Sequence, residues 1–497
     1  MTVVLFVLLN ATLLELGLDL IPSLWTYRQY IVPIIIVGIS FGSGGLFAAK
    51  PGIVTGLILL ISAYRLFNIL RITENRINEH HLRRATRVTS YWLVSLQISL
   101  FGLWWLAEHV LTHTRSWIVA LAVLQLLTAI VLAASTCRQF IKTRPMTTKK
   151  TFADRDLPSI TVVIPARNED QQLEDCLQSV LGSDYPKLEV IVLDDCSQDR
   201  TSQIIKNFAH DGVRFIPGEA PKNDWLAKNQ AYEQLAKEAS GDLILFCGVD
   251  VRFAPQSIRE IVTLLIAKHK QMLCVMPLND EPKLSFAQSI RYYWEIALPR
   301  RMFNRPPILS SCWLIEAGFL HASGGFAAVS NSIMPEAYFA RCAVKVDTYT
   351  FMRSTANLGV ASVKTTAEQR ETAIRVRYPQ VHRSPELVLL VAAAELLLLF
   401  APYLLMVVGF WNVFGIATEV LFILSCTILT VTYRSIMSTT SPMNRWYVSP
   451  LFPVTVLFDI GLLNYSMSKY EFSTVEWKGR NVCIPVMQIA PHLPKIL

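Results

Sequence analysis

Several things are scarce in this chain, and each scarcity excludes something. Charged residues make up only 17% of the 497 positions, against a hydrophobic share of 52%. That balance is too apolar for one water-soluble core. The nine cysteines (Cys137, Cys176, Cys196, Cys247, Cys274, Cys312, Cys342, Cys426 and Cys483) contain no Cys-x-x-Cys pair. Neither a zinc framework nor a disulfide scaffold is indicated, and the thiols of the central polar domain are expected to stay reduced. No internal repeat and no low-complexity tract is present, which argues against a solenoid or a tandem array. The N-terminus has no basic leader region and no small-residue cleavage site, so its first apolar stretch is expected to remain in the mature chain.

What is present is a set of long apolar runs. Windows of about 20 residues, enough to cross a bilayer, fall near 3–22, 31–49, 52–70, 90–111 and 117–137, and again near 387–411, 413–433 and 450–468. The first carries Glu15 and Asp19, and Arg65 in the third is expected to snorkel to the interface. Lys50-Pro51 reads as the turn of a tight helical hairpin. Two basic segments, 71–88 and 138–150, bracket the poorly charged 112–116 turn, which places both on the cytoplasmic side. The net charge of +8 then reads as contact with anionic lipid and not with nucleic acid. Glu79-His80-His81 in the first basic loop reads as a solvated interfacial stretch, not a metal site. The expected organisation is a transmembrane region over 1–142 with about five spans, a polar domain over 157–384, a second transmembrane region over 385–470 with two or three spans, and a tail over 471–497.

The polar domain alternates strands with helices. ITVVIPARNE (160–169), LEVIVLDDCSQDRT (188–201) and DLILFCGVD (242–250) end apolar runs in acidic or polar residues. Leu173, Cys176, Leu177, Val180 and Leu181 follow helical spacing. Ile204, Ile205 and Phe208 do likewise behind Ser197, read as an N-cap, and a third helix begins near Leu226. Such alternation implies a mainly parallel sheet. Ligands of an open α/β sheet bind at its carboxyl edge, where these carboxylates converge. Acidic groups there suit a divalent cation holding a diphosphate.

VIPARNE, VLDDCSQDRT, WLAKNQA and GDLILFCGVDV, in this order and at these spacings, resemble the nucleotide-binding half of glycosyltransferase family 2 with its GT-A fold. The resemblance covers about 225 residues and implies an α/β Rossmann-like domain inserted between two membrane regions. It implies that Pro165, Ala166, Arg167, Asn168 and Glu169 wrap the base and ribose of a nucleotide. Asp195, with Asp194 beside it, would accept the imide N–H of uracil, which makes a UDP-sugar the implied donor, with guanine left open. Lys228 supplies a point charge suited to a diphosphate. Asp250 is the implied ligand of Mg²⁺ or Mn²⁺. Here the chain departs from the family's Asp-x-Asp, reading Gly248-Val249-Asp250.

Downstream, HASGGFAAV resembles the acceptor segment of the family, and implies that Gly324, Gly325 and Phe326 line the acceptor pocket. The usual Glu-Asp base pair is missing. Glu336, at the usual distance after Gly-Gly-Phe, and Asp347, at the usual distance before QVHRS, compete for the role, with Asp347 preferred. QVHRS (380–384) resembles the family's Gln-x-x-Arg-Trp, so Gln380 and Arg383 are candidate catalytic residues, Arg383 neutralising the departing diphosphate. Ser384 stands where the tryptophan would be. VEWKGRNV (475–482) resembles a tail of single-addition lipid glycosyltransferases of the ceramide, hopanoid and carotenoid type. The expectation is an inverting transfer of one sugar to a hydroxyl or carboxyl of a lipid or lipid-linked acceptor at the cytoplasmic face of the cell membrane. A processive polysaccharide synthase and a degenerate membrane scaffold are the alternatives. Three spans after residue 385 would put the tail on the wrong side of the membrane, so one late segment, weakened by Pro453 and Asp459, is expected to be interfacial or re-entrant.

Overall fold

The structure is a computed structural model. It describes the chain except for residues 1, 21–24, 75–92, 103, 105–114, 144–151, 223–224, 282, 300–305, 412–413, 442–445, 479 and 482–497. Most of the first basic loop, including Glu79-His80-His81, and the basic residues Arg144, Lys149 and Lys150 therefore lie outside the described residues. The chain divides into two compact units, one built from 1–124, 404–422 and 468–473, the other from the remainder.

The first unit holds α1 (Thr2–Leu20), α2 (Trp25–Ala49), α3 (Ile53–Glu74) and α4 (Leu93–Gly102). Leu8, Ile39, Leu46, Ile58 and Phe101 pack between these helices. At Gly42 an added Cβ would meet a methyl of Leu8 at 2.5 Å, so the helices touch backbone to side chain there. Arg65 does not snorkel. It is buried, ion-paired with Glu15 and bonded to Gln97, whose amide donates to the Ser62 hydroxyl at 2.6 Å. The two charges that seemed to weaken the first and third apolar runs neutralise each other, the arrangement an apolar bundle requires.

In the second unit a seven-stranded sheet runs in the order β3-β2-β1-β4-β8-β6-β9, with β8 antiparallel to both its neighbours and the other pairs parallel. Its strands are β1 (Ile160–Ala166), β2 (Leu188–Asp194), β3 (Val213–Pro217), β4 (Leu243–Cys247), β6 (Met272–Met276), β8 (Cys312–Glu316) and β9 (Tyr349–Arg353), while β5 (Val251–Phe253), β7 (Leu278–Asn279) and β10 (Val360–Ser362) form a small second sheet. This is the mainly parallel α/β sheet that the alternation of strands and helices implies. Register pairs Ala166 with Asp194 and Asp194 with Pro217. The first three strands therefore stop level, and their loops open on one edge.

Helices α6 (Leu173–Leu181), α7 (Thr201–Asn207), α8 (Ala227–Glu238), α9 (Ser257–Ala267), α10 (Phe286–Ala297), α11 (Ala317–Ala322), α12 (Pro335–Lys345) and α13 (Thr366–Gln380) complete the domain. Ser197 is not the N-cap of α7. Arg200 is, and Ser197 lies in the turn before it. On one face of the sheet Phe246 stacks on Trp313 at 4.0 Å, with Tyr232, Phe326 and Phe339 packed around the pair. Aromatic contacts of this kind bury large area in fixed geometry.

Among the described residues, five helical stretches are long and apolar enough to cross a membrane: Tyr30–Ala49, Trp117–Lys142, Pro385–Gly409, Ile416–Thr440 and Val448–Phe472. The helix α5 is Arg115–Lys142; α14 (Pro385–Glu395) and α15 (Ala401–Gly409) are joined by a π-turn at Leu396–Phe400. Pro402 has no N–H to return to the preceding turn, which explains the widened winding. Gln125 donates to the freed Leu397 carbonyl at 2.8 Å. After α16 (Ile416–Thr440) comes α17 (Phe452–Phe472), whose first four turns behave differently. Asp459 takes Trp294 Nε1 at 2.8 Å and Arg377 Nε at 2.9 Å, Leu462 packs on Ala287 and Ala373, and Ser466 accepts from the Tyr378 N–H. One side of this stretch therefore packs along α10 and α13 of the polar domain, while Val454, Leu457 and Tyr465 stay exposed.

Candidate active site

The loops after β1 and β2 are stitched together. Asn168, with φ of 50°, donates its N–H to the Ser197 hydroxyl at 3.0 Å and accepts from the Gln198 N–H, and the Glu169 N–H donates to Thr201 at 2.8 Å. Asp194 accepts from the Ser197 N–H at 3.0 Å and from the Ser202 hydroxyl at 2.5 Å, so its carboxylate holds the turn. Arg167 points back into the loops, donating to the carbonyls of Asp195, Cys196 and Lys478. Its guanidinium is committed to backbone carbonyls of the second loop and the tail. Glycine at 218 is required by close approach: a Cβ there would lie 2.6 Å from the Asp194 carbonyl oxygen.

Asp195 stands at the same edge. Burial pushes its carboxyl above the ordinary value, with Arg480 opposing. That arginine comes from the C-terminal tail, a hairpin of β11 (Glu476–Trp477) and β12 (Arg480–Asn481). Its Nη1 lies 2.7 Å from both carboxylate oxygens of Asp195. The tail thus reaches the site.

Beside this edge opens a cavity of about 330 Å³. Lys228, in the first turn of α8, and Glu336, in the first turn of α12, both line it, with Arg291, Arg375, Gln380 and Arg480. Burial pulls the Lys228 ammonium down to about 8, with Glu336 opposing. Burial pushes the Glu336 carboxyl up, with Lys228 opposing, and its Oε2 has no hydrogen-bond partner among the described residues. Asn229 shapes the wall: its Nδ2 lies 2.9, 3.0 and 2.7 Å from the carbonyls of Val329, Ser330 and Ser332. Ser332, Ile333 and Met334 face the cavity as a result.

Asp347 is elsewhere. It follows the far end of α12, about 15 Å from Glu336 at 1.5 Å rise per residue, with its side chain 99% exposed and 3.4 Å from Lys270. The preference for Asp347 over Glu336 is reversed on that geometry, since a base must reach the proton it takes. Arg383 does not line the cavity either, and the cation that its segment contributes is Arg375, one and a half turns before Gln380. Gly324, Gly325 and Phe326 do not line this cavity. Both glycines have positive φ, 90° and 59°, and Phe326 is fully buried among the aromatics, its N–H donating to Glu233 at 3.1 Å. Ser384 caps α14, its hydroxyl accepting the Leu387 N–H.

Asp250 follows β4. Its Oδ2 accepts from Ser362 at 2.9 Å and lies 3.8 Å from Lys364. Burial pushes this carboxyl up, and Lys364 and Ser362 more than offset that, leaving it below the ordinary value. A Cβ at position 248 would lie 2.6 Å from Asp250 Oδ1. The glycine that replaces the first acid of Asp-x-Asp therefore leaves the room into which Asp250 turns. Among the described residues no group of three or more His, Cys, Asp or Glu could hold a metal ion. One ionised carboxylate fits a divalent cation shared with a diphosphate, and does not fit a centre made by protein alone.

Residues 161–322 match the model described as "Glycosyl transferase family 2". The central domain is thus a family 2 glycosyltransferase domain, flanked on both sides by apolar helices. The chain is 34% identical over 98 residues to the glycosyltransferase AglE of Haloferax volcanii, covering 19% of this chain and 31% of that one. It is 30% identical over 129 residues to a 4,4'-diaponeurosporenoate glycosyltransferase of Staphylococcus aureus, covering 26% and 34%. It spans about a third of the length of these relatives. Among solved structures, the mannosyltransferase PcManGT of Pyrobaculum calidifontis, in complex with GDP-Man and Mn²⁺, aligns at a TM-score of 0.41 with 14% identity, over 70% of this chain and 98% of that one.

Proposed function

We propose that this protein is a membrane-bound inverting glycosyltransferase that moves one sugar from a UDP-sugar to a lipid or lipid-linked acceptor at the cytoplasmic face. The observation that carries the reading is the one cavity lined by Lys228, Arg291 and Arg375 and by the buried carboxylate of Glu336, whose Oε2 has no hydrogen-bond partner among the described residues. The cations suit a diphosphate and the carboxylate suits proton removal from an acceptor hydroxyl.

Glu336 takes the acceptor proton as the new bond forms at the anomeric carbon, while the bond from that carbon to the diphosphate breaks on the opposite face. Lys228 and Arg375 stabilise the negative charge that accumulates on the leaving group. A Mg²⁺ or Mn²⁺ ion, when bound, supplies further charge neutralisation there, and Asp250 is the residue that would hold it. Asp195 is the acceptor for a base N–H. The apolar helices and the carotenoid-acid relative support an acceptor drawn from the bilayer, and the loss of tryptophan at Ser384 favours single addition over polymer synthesis.

The test is a screen of UDP- and GDP-sugars against lipid acceptors with the purified protein, read by product mass. A single-sugar lipid product is the expected result, and long polymer would indicate a synthase. A melting shift with UDP and Mn²⁺ that disappears in Asp195→Ala supports the donor assignment. No shift and no product with any donor would leave a scaffold as the better description.

A further inference from the structure

The tail hairpin does more than touch the site. Arg480 faces both oxygens of Asp195 at 2.7 Å, and its Nη2 lies 3.4 Å from the Asp195 carbonyl. Lys478 donates to the Asn168 carbonyl at 3.1 Å and sits 3.3 Å from the Glu169 carboxylate, while Arg167 donates to the Lys478 carbonyl at 3.0 Å. Every one of these partners belongs to the two loops that would hold a nucleobase and ribose. A guanidinium lying across both oxygens of a carboxylate occupies the edge that an imide N–H would need.

The hairpin itself is slight. Its ladder is two residues on each side, and Lys478 takes a positive φ of 49° at the turn. A two-stranded ribbon of that size has little stability of its own. Its hold is the set of charged contacts to the loops, which can exchange with a ligand's charges. Arg480 also lines the cavity that holds Lys228 and Glu336, so a small rotation carries its charge from Asp195 toward that space.

We propose that Lys478 and Arg480 of the tail form a latch on the nucleobase pocket. Arg480 covers Asp195 while no nucleotide is bound, and an incoming nucleoside must displace it to reach that carboxylate. The displaced guanidinium then faces the cavity and pairs with the diphosphate. The latch couples donor entry to release of the tail, and it rests on the donor reading above.

The experiment compares uridine and UDP binding by calorimetry in the full-length protein and in Arg480→Ala. Uridine has no phosphate with which Arg480 could pair, so it reads the competition alone. If the open form is about one molecule in ten, removing the latch tightens uridine about tenfold, and UDP tightens less because it loses a cation. Uridine binding that is unchanged or weaker in Arg480→Ala, with UDP still bound by both proteins, overturns the latch and leaves the donor reading standing. Absence of binding by either ligand to either protein overturns the donor reading and the latch with it. Limited trypsin digestion of the unmodified protein gives an independent readout. Uridine should speed cleavage after Lys478 and Arg480, and unchanged or slower cleavage with uridine bound overturns the proposal.

Discussion

Glu336 and Lys228 face one another across a cavity and draw each other's titration in opposite directions. Because burial raises the Glu336 carboxyl, turnover on a hydroxyl acceptor should rise with pH through a value above the ordinary carboxylate range. Glu336→Gln should lower kcat by about 10²-fold or more, the usual contribution of a general base, while UDP affinity stays within a few-fold of the parent value. Asp347→Asn should leave turnover near the parent level, since that side chain is exposed and away from the cavity. Loss of turnover there with Glu336→Gln active would return the base to Asp347.

The Lys228 ammonium, held near 8, makes a second prediction with two signs. The charged form binds diphosphate, so UDP affinity should be flat below about pH 8 and fall above it, and Lys228→Arg should move the fall to higher pH. Stability runs the other way. Between about 8 and the ordinary lysine value the folded chain has released a proton that the unfolded chain keeps, so unfolding free energy rises with pH across that window. Calorimetric titration and chemical denaturation at several pH values separate the two effects.

At the scale of elements, α13 carries Arg375 and Gln380 to the cavity and Arg377 to α17. Thr365 begins it with a full capping box, the Thr365 hydroxyl accepting the Glu368 N–H and the Glu368 carboxylate accepting the Thr365 N–H. Thr365→Ala should cost about 1 kcal/mol of stability, and the loosened helix should raise the KM for donor. Arg377 lies 2.9 Å from Glu395 and also pairs with Asp459, both buried. Arg377→Met leaves two buried acids without a cation and should destabilise by about 3–5 kcal/mol, the usual result of removing one partner of a buried pair. Denaturant unfolding in detergent measures both.

For the whole molecule, the paths of α14 to α17 determine where the tail ends. Pro385–Gly409 and Ile416–Thr440 are long and apolar enough to cross and return, and the following helix packs along α10 and α13 before the tail meets Arg167 and Asp195. A tag at residue 497 and a tag in the 160–380 domain should therefore be protease-accessible from the same side of sealed vesicles. Opposite accessibility would mean that Val448–Phe472 crosses the bilayer, and would contradict the contacts of Asp459 and Arg480.

The sequence alone carried the sheet, the loops and the membrane flanks, because these depend on local pattern. Alternating apolar strands and amphipathic helices specify a parallel sheet, and strand-end acids at Asp194, Asp195 and Asp250 mark its ligand edge. Lys228, Glu336 and Gln380 were also legible by position. The sequence ranked the pair Glu336 and Asp347 by spacing alone, in favour of Asp347, since eleven residues of chain look the same whether a helix separates them by about 15 Å or a loop folds them together. It did not reveal Arg291, an arginine in an otherwise apolar helix, or the commitment of Arg167 to backbone carbonyls, or the pairing of Arg65 with Glu15. Each of these depends on contacts between segments far apart in the chain. Burial and pairing between such segments are decided only when the tertiary structure closes, and for this protein that closure put Glu336 on the cavity with Lys228, Arg291 and Arg375, left Asp347 exposed and brought Arg480 onto Asp195.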